Sequence, residues 1–228
     1  MSAKGATPRV SGVDAAQIGE ITLRTLAVCG AALALALSIG VPLGIFLGAR
    51  RFAGRGLVVS SVNAGMGAPP VVVGLVVALL LWRSGPLGGL GLMYSSTAMI
   101  AAQVLIALPL VVGITLAAVG ALEEDWDLQV RTLGLPRRWR LWLLLREIRM
   151  GLLAAVIAAL GGILSEVGAV QMVGGNLAGE TRMLTTAILM HTSMGEFETA
   201  IGLAIVLIGL TLVLAAILTA VQQSGRRG

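Results

Sequence analysis

Charged side chains are spaced along the chain so as to leave long apolar intervals between them. Residues 25–49 hold no charge between Arg24 and Arg50, and residues 56–82 none between Arg55 and Arg83. A third uncharged interval opens on Ser84-Gly85-Pro86-Leu87-Gly88-Gly89-Leu90-Gly91, a turn-rich loop, before an apolar run over 93–120. Residues 150–172 and 197–221 hold one acid each, Glu166 and Glu198. Each run exceeds the roughly 20 residues that a helix needs to cross about 30 Å of hydrocarbon. The pattern predicts an all-α membrane protein with spans at about 25–49, 57–82, 93–120, 150–172 and 197–221. A polar segment, 1–24, precedes them, with an interfacial helix predicted near 14–24. A loop at 123–149 divides the single membrane domain, 25–222, and a short tail, 223–228, ends it. Pro42, Pro69-Pro70 and Pro109 fall inside apolar runs, where each removes a backbone donor and predicts a kink packed against protein or lining a pathway. Ala154, Ala158, Gly161, Gly162, Ser165 and Gly168 recur at a spacing that permits close helix contact, although glycine enrichment in membrane helices gives the same pattern.

Composition fits lipid as the solvent. The 228 residues are 57% hydrophobic and 12% charged, with a mean hydropathy of +0.97, against about 25% charge in soluble domains. The net charge of +5 does not indicate nucleic-acid binding, because the arginines gather beside apolar runs. Arg50, Arg51 and Arg55 fill the first loop, six arginines the loop at 123–149, and Arg226 and Arg227 the tail. The opposite side has Arg83 and Arg182 in its loops. The positive-inside rule then places the N-terminus outside and the C-terminus inside, a choice that Lys4, Arg9 and Arg24 mildly oppose. Lys4 is the only lysine, so a Walker A loop is excluded. Cys29 and His191 are each alone of their kind, which excludes Cys/His zinc sites and disulfides. Leu26-Ala27-Val28-Cys29 loosely matches a lipoprotein cleavage box, but its cysteine precedes the apolar run, as in a retained helix.

The segment 123–149 opens on Glu123, Glu124, Asp125 and Asp127 and closes in a basic stretch, a polarity that suits the helix dipole. Arg131-Thr132-Leu133-Gly134-Leu135-Pro136-Arg137-Arg138-Trp139-Arg140 lies between. Gly134 and Pro136 break the helix, and Leu133, Leu135 and Trp139 present apolar knobs in a basic frame. Such a projection suits docking into a partner's groove, and equally an anchor at a lipid surface.

Around these residues the chain resembles the permeases of type I ABC importers. Gly134 takes the glycine position of their cytoplasmic signature, and Thr132-Leu133-Gly134 is the usual phrase. Leu128-Gln129-Val130 replaces the signature Glu-Ala-Ala, and Glu147 stands where a proline is expected. The resemblance runs from about Thr22 to Gln222. It takes in Met66-Gly67-Ala68-Pro69-Pro70-Val71-Val72-Val73-Gly74, Leu108-Pro109 and Ser165-Glu166-Val167-Gly168-Ala169. It implies a five-helix bundle, a second copy of the chain, separate P-loop ATPase subunits and an extracytoplasmic substrate-binding protein. It also implies that about 129–140 forms a coupling helix that enters the ATPase. ATP and magnesium would bind to that partner, and no cofactor or metal to this chain.

Glu166, in mid-span, needs a partner or water because an acid at that depth costs about 2.5–3.5 kcal/mol on insertion scales. It reads either as a gate or as a hydrogen-bond anchor of the bundle. In the polar loop 171–196, Gly174-Gly175-Asn176 predicts a tight bend with exposed amides, and 181–188 a short helix. Helical spacing groups Arg182, Thr185, Thr186 and Ser193 on one face, and Leu184, Ala187, Ile188 and His191 on another. One cation plus hydroxyl donors suits an oxyanion; a helix that seals the bundle is the alternative. Within the type I group, Val173-Gly174-Gly175-Asn176, Thr181-Arg182 and Leu184-Thr185-Thr186-Ala187-Ile188 resemble tungstate-importer permeases, with molybdate permeases similar but generally different at the Thr-Thr pair. Other classes fit less well. His191 and Ser193, two apart, point to different helix faces and make a poor catalytic pair. No internal repeat supports a secondary transporter, which uses inverted repeats.

Overall fold

The computed structural model describes residues 14–122 and 126–227, and in them ten α-helices, a short 3-10 turn and no strand. Helix α1, Ala15–Ala49, is continuous from the polar segment through the first span and through Pro42. Its 35 residues, at about 1.5 Å each, reach about 50 Å, well beyond the hydrocarbon layer. Residues 15–24 are therefore a helical extension of the first apolar run. The second apolar run forms α2, Arg55–Met66, and α3, Pro70–Leu81, bent by 104° at Gly67-Ala68-Pro69. Pro70 starts α3 at its first helical position, where its missing N–H leaves no gap. After the loop, α4 covers Ser96–Gly120 and is continuous through Pro109.

The register of α1 on α4 comes from three glycines. A Cβ on Gly40 would meet the Val111 side chain at 2.7 Å, one on Gly44 the Thr115 Cβ at 2.6 Å, and one on Gly48 the Val119 Cβ at 2.7 Å. Each step of four on α1 matches a step of four on α4, so the helices are parallel and their backbones nearly touch. Gln103 on α4 reaches Cys29 of α1 and the Ile163 carbonyl of α7, extending the seam. Two parallel helices joined in sequence need a return crossing. Together α2 and α3 supply it, despite their bend.

Helices α5, Trp126–Thr132, and α6, Arg137–Glu147, gather beyond the end of α4. The expected acidic start at Glu123, Glu124 and Asp125 lies outside the described residues. Helix α7, Arg149–Ser165, runs back along α4, with Gly162 against Leu110 and Ile163 near Gln103. The chain breaks at Glu166-Val167 and resumes as α8, Gly168–Gly174. Helix α9, Leu184–Ser193, follows, and α10, Phe197–Arg227, returns along the bundle. The arginine-rich loops at 50–55 and 126–149 thus share one end, and the polar turns at 175–183 and 194–196 the other. Three helices are long and apolar enough to cross a membrane alone, and the bent pairs α2–α3 and α6–α7 bring the number to as many as five.

The small-residue stripe of α7 faces differently from expectation. Ala155, Ala159, Ile163 and Leu164 are buried, whereas Ala154, Gly161 and Ser165 are exposed. In lipid, apolar burial gives little drive to associate, and close packing decides the contact. Such packing holds the α1–α4 seam, and also Gly74 of α3 on Ala169 of α8 and Gly151 of α7 on Ala118 of α4.

Gly44→Val should clash with Thr115 and the Val112 carbonyl, costing about 1–3 kcal/mol. Thermal unfolding in detergent should show a lower midpoint for it, while Gly19→Ala, which meets nothing within 4 Å, should match the parent protein.

Candidate functional site

Two groups of residues stand out, one at each end. At the arginine end, Thr132 closes α5 with its hydroxyl on the Gln129 carbonyl, at 2.7 Å. Gly134 then takes φ +63, and Pro136, extended at ψ 154, leads into α6. A left-handed residue followed by proline reverses the chain and leaves its tip bare. Leu133 is 64% exposed and Trp139 50%, and Thr132, Pro136, Arg137 and Arg138 are exposed, with Leu135 half-buried. The side chain of Arg131 lies outside the described residues. Trp139 stacks edge-to-face on Trp142 at 5.9 Å, and Arg146 covers Trp142 at 5.3 Å. The tip is joined to the bundle by Leu144 and Ile148, which pack with Val119 at the end of α4. Helix α6 meets α7 at 64°. A push on the tip therefore reaches both α4 and α7.

At the opposite end, Glu166 is 7% exposed and sits in the break between α7 and α8, not within a continuous helix. Its Oε1 accepts from the Ala169 N–H at 2.7 Å, satisfying a free donor of α8. Its carbonyl accepts from the Thr185 hydroxyl at 3.1 Å, tying the break to α9. An interrupted helix in lipid needs such partners for its freed backbone groups.

The expected helix at 181–188 begins later, at Leu184, and the shared polar face does not form. Thr185 and Thr186 are buried, and the Thr186 hydroxyl accepts from the Met183 N–H at 3.0 Å, capping α9 from within. The next N–H, of Leu184, donates to Thr25 of α1 at 3.0 Å. Ser193 is exposed, with its hydroxyl on the Leu189 carbonyl. Arg182 stands outside the helix, its Nη2 donating to the Asn176 carbonyl at 3.5 Å. The bend at Gly175 and Asn176 is left-handed at both residues, φ +70 and +54. Thr181 closes it, donating to the Gly174 carbonyl at 2.5 Å and accepting from the Leu177 N–H at 2.9 Å. His191 lies near Arg182, with Nδ1 2.6 Å from Glu196. Thr25, a buried cap donated across the bundle, was not singled out by spacing, because an isolated threonine in an apolar run carries no signal. The Gly40-Gly44-Gly48 series could have been found by its step of four.

A multi-helix membrane protein with a rigid bundle and an exposed, bundle-anchored loop is the class that this arrangement defines. Residues 40–227 match the family described as binding-protein-dependent transport system inner membrane component. The chain belongs to this family, and it is a multi-pass membrane subunit of an ABC transporter. It is 41% identical over 198 residues to a "Probable anion ABC transporter permease protein" of Haloferax volcanii, covering 85% of each chain. It is 37% identical over 207 residues, 91% of each chain, to the tungstate uptake system permease protein TupB of Peptoclostridium acidaminophilum. A sulfate transport system permease protein of Escherichia coli is 29% identical over 73% of this chain and 61% of its own. Membership implies partnership with ATPase and substrate-binding subunits.

Glu166→Gln keeps an acceptor for Ala169 and should leave the unfolding midpoint in detergent close to the parent value. Glu166→Leu strands that N–H in an apolar setting at a cost of about 1–3 kcal/mol, and its midpoint should fall.

Proposed function

We propose that the chain is the permease subunit of an importer that moves an oxyanion, tungstate first among them, by alternating access. The observation that carries the substrate is similarity over nine-tenths of the chain to a tungstate uptake permease, with a second relative described as an anion permease. In this reading two copies form the path, and two P-loop ATPase subunits drive it by binding and hydrolysing ATP with magnesium. An extracytoplasmic binding protein delivers the anion and sets most of the selectivity, so molybdate and sulfate stay as competing cargoes. The chain itself holds no cofactor.

The arginine end faces the cytoplasm, as the positive-inside rule requires. The coupling surface is Arg131 to Trp139, with Leu133 and Trp139 as apolar knobs and Gly134 and Pro136 as the reversal that presents them. Glu166, Asn176, Arg182, Thr185 and Thr186 belong to the outer gate. The hydrogen bonds of Glu166, Thr185 and Thr186 support a gate that moves as a hinged block, since they join α7, α8 and α9 by backbone partners. No ionised ligand on α9 is required for the anion.

Gly134→Val leaves room for the side chain, with nothing within 4 Å, but forces a β-branched residue to φ +63. The reversal should reshape at a cost of about 1–2 kcal/mol. In vesicles holding the full complex, ATP-driven tungstate uptake should be lost while the amount of inserted chain is unchanged; uptake at the parent rate counts against the docking role. Unlabelled tungstate should suppress labelled uptake at lower concentration than sulfate does, and the reverse order would reassign the cargo.

A further inference from the structure

A cavity of about 200 Å³ lies between the N-terminal extension of α1 and the segment leading into α9. Gln17 and Glu20 of α1 line one side, and Gly179, Arg182 and His191 the other. Two of these residues hold buried polar atoms without a hydrogen-bond partner among the described residues, Nε of Arg182 and Nε2 of His191. His191 is 8% exposed, and its other ring nitrogen is engaged by Glu196 at 2.6 Å. Because a carboxylate only accepts, Nδ1 carries a proton and donates to it, which leaves Nε2 as the edge toward the cavity. Buried polar groups are ordinarily partnered, and an unmade hydrogen bond there is costly.

We propose that this cavity binds one small tetrahedral oxyanion, held between the Arg182 Nε–H and the His191 ring. The fixed charge of Arg182 selects the sign of the ligand. A guanidinium has donors only and stays charged, so its Nε–H calls for an acceptor. The buried side-chain oxygens without partners among the described residues, on Gln103, Thr115, Gln171 and Asn176, do not line the cavity. Glu20, which does, is committed to Arg24 at 2.8 Å, so its charge is offset within its own helix. The Arg24 Nη2 also donates to the Gly179 carbonyl at 2.6 Å, which fixes the cavity wall. The anion brings one proton with it, shared between its oxygen and Nε2, which is an acceptor in the tautomer that Glu196 sets. The volume admits such an anion, since one water occupies about 30 Å³ in the liquid. A cation would face the fixed charge of Arg182. The site joins α1 to the turn before α9, so occupancy ties the first helix to the outer gate.

The site rests on the proposed function only in the choice of tungstate as first probe. The test uses the full complex in lipid nanodiscs without the binding protein, and labelled tungstate at equilibrium. One saturable class per permease chain should be weakened about ten- to hundredfold in Arg182→Gln, the range of a lost charge-assisted hydrogen bond. His191 is the chain's only histidine, so its carbethoxylation by diethyl pyrocarbonate is read directly by peptide mass mapping of the unmutated protein. Tungstate should slow that reaction. Binding unchanged in Arg182→Gln, or a modification rate that tungstate does not alter, overturns the proposal. If sulfate binds and protects where tungstate does not, the site stands and the choice of tungstate as cargo is what fails.

Discussion

A helix in hydrocarbon meets no water, so every backbone group freed at a break must find a partner inside the protein. This constraint shapes the half of the bundle that holds α8 and α9. The breaks at 67–69, 166–167 and 175–183 are each closed by the chain itself. Glu166 holds the start of α8, Thr181 its end, and Thr25 and Thr186 the start of α9. The hydroxyls of Thr185 and Thr186 are spent on backbone. That framework positions Nε of Arg182 and Nε2 of His191 at one end and the Gly134 turn at the other.

Between these ends the bundle is stiff for a different reason. The three glycines of α1 bring two parallel backbones together, and Val111, Thr115 and Val119 fill the space that side chains would otherwise occupy. Close packing of this kind is a main source of helix association in lipid. It fixes α4, and α4 in turn carries the loop at 126–149 through Val119 and the packing of Leu144 and Ile148.

Helices fill the apolar intervals of the sequence, since charges are costly in lipid, but 56–82 and 150–172 are each broken into two. The turn at Gly134 and Pro136 was legible as well, since positive φ and a missing donor belong to those residue types. Three features were not. The run at 56–82 is uncharged throughout, so it predicted a kink where the chain bends by 104°. Residues 15–24 are polar, yet they continue α1 because an extension beyond the bilayer needs no apolar face. Starting the outer helix at Thr181 and not at Leu184 put Arg182 on a face with the threonines and His191 on another; capping by Thr186 sets the true start and brings Arg182 near His191. Capping partners separated by most of the chain, as Thr25 is from Leu184, leave no periodic trace.

The account turns on the exposed apolar tip at Leu133 being the place where an outside engine takes hold of the bundle. A photoreactive amino acid at that position, activated in membranes containing the whole transporter, tests this directly. Mass spectrometry should find the tip joined to the P-loop ATPase subunit. Adducts confined to lipid, or to the substrate-binding protein on the other face, would contradict it.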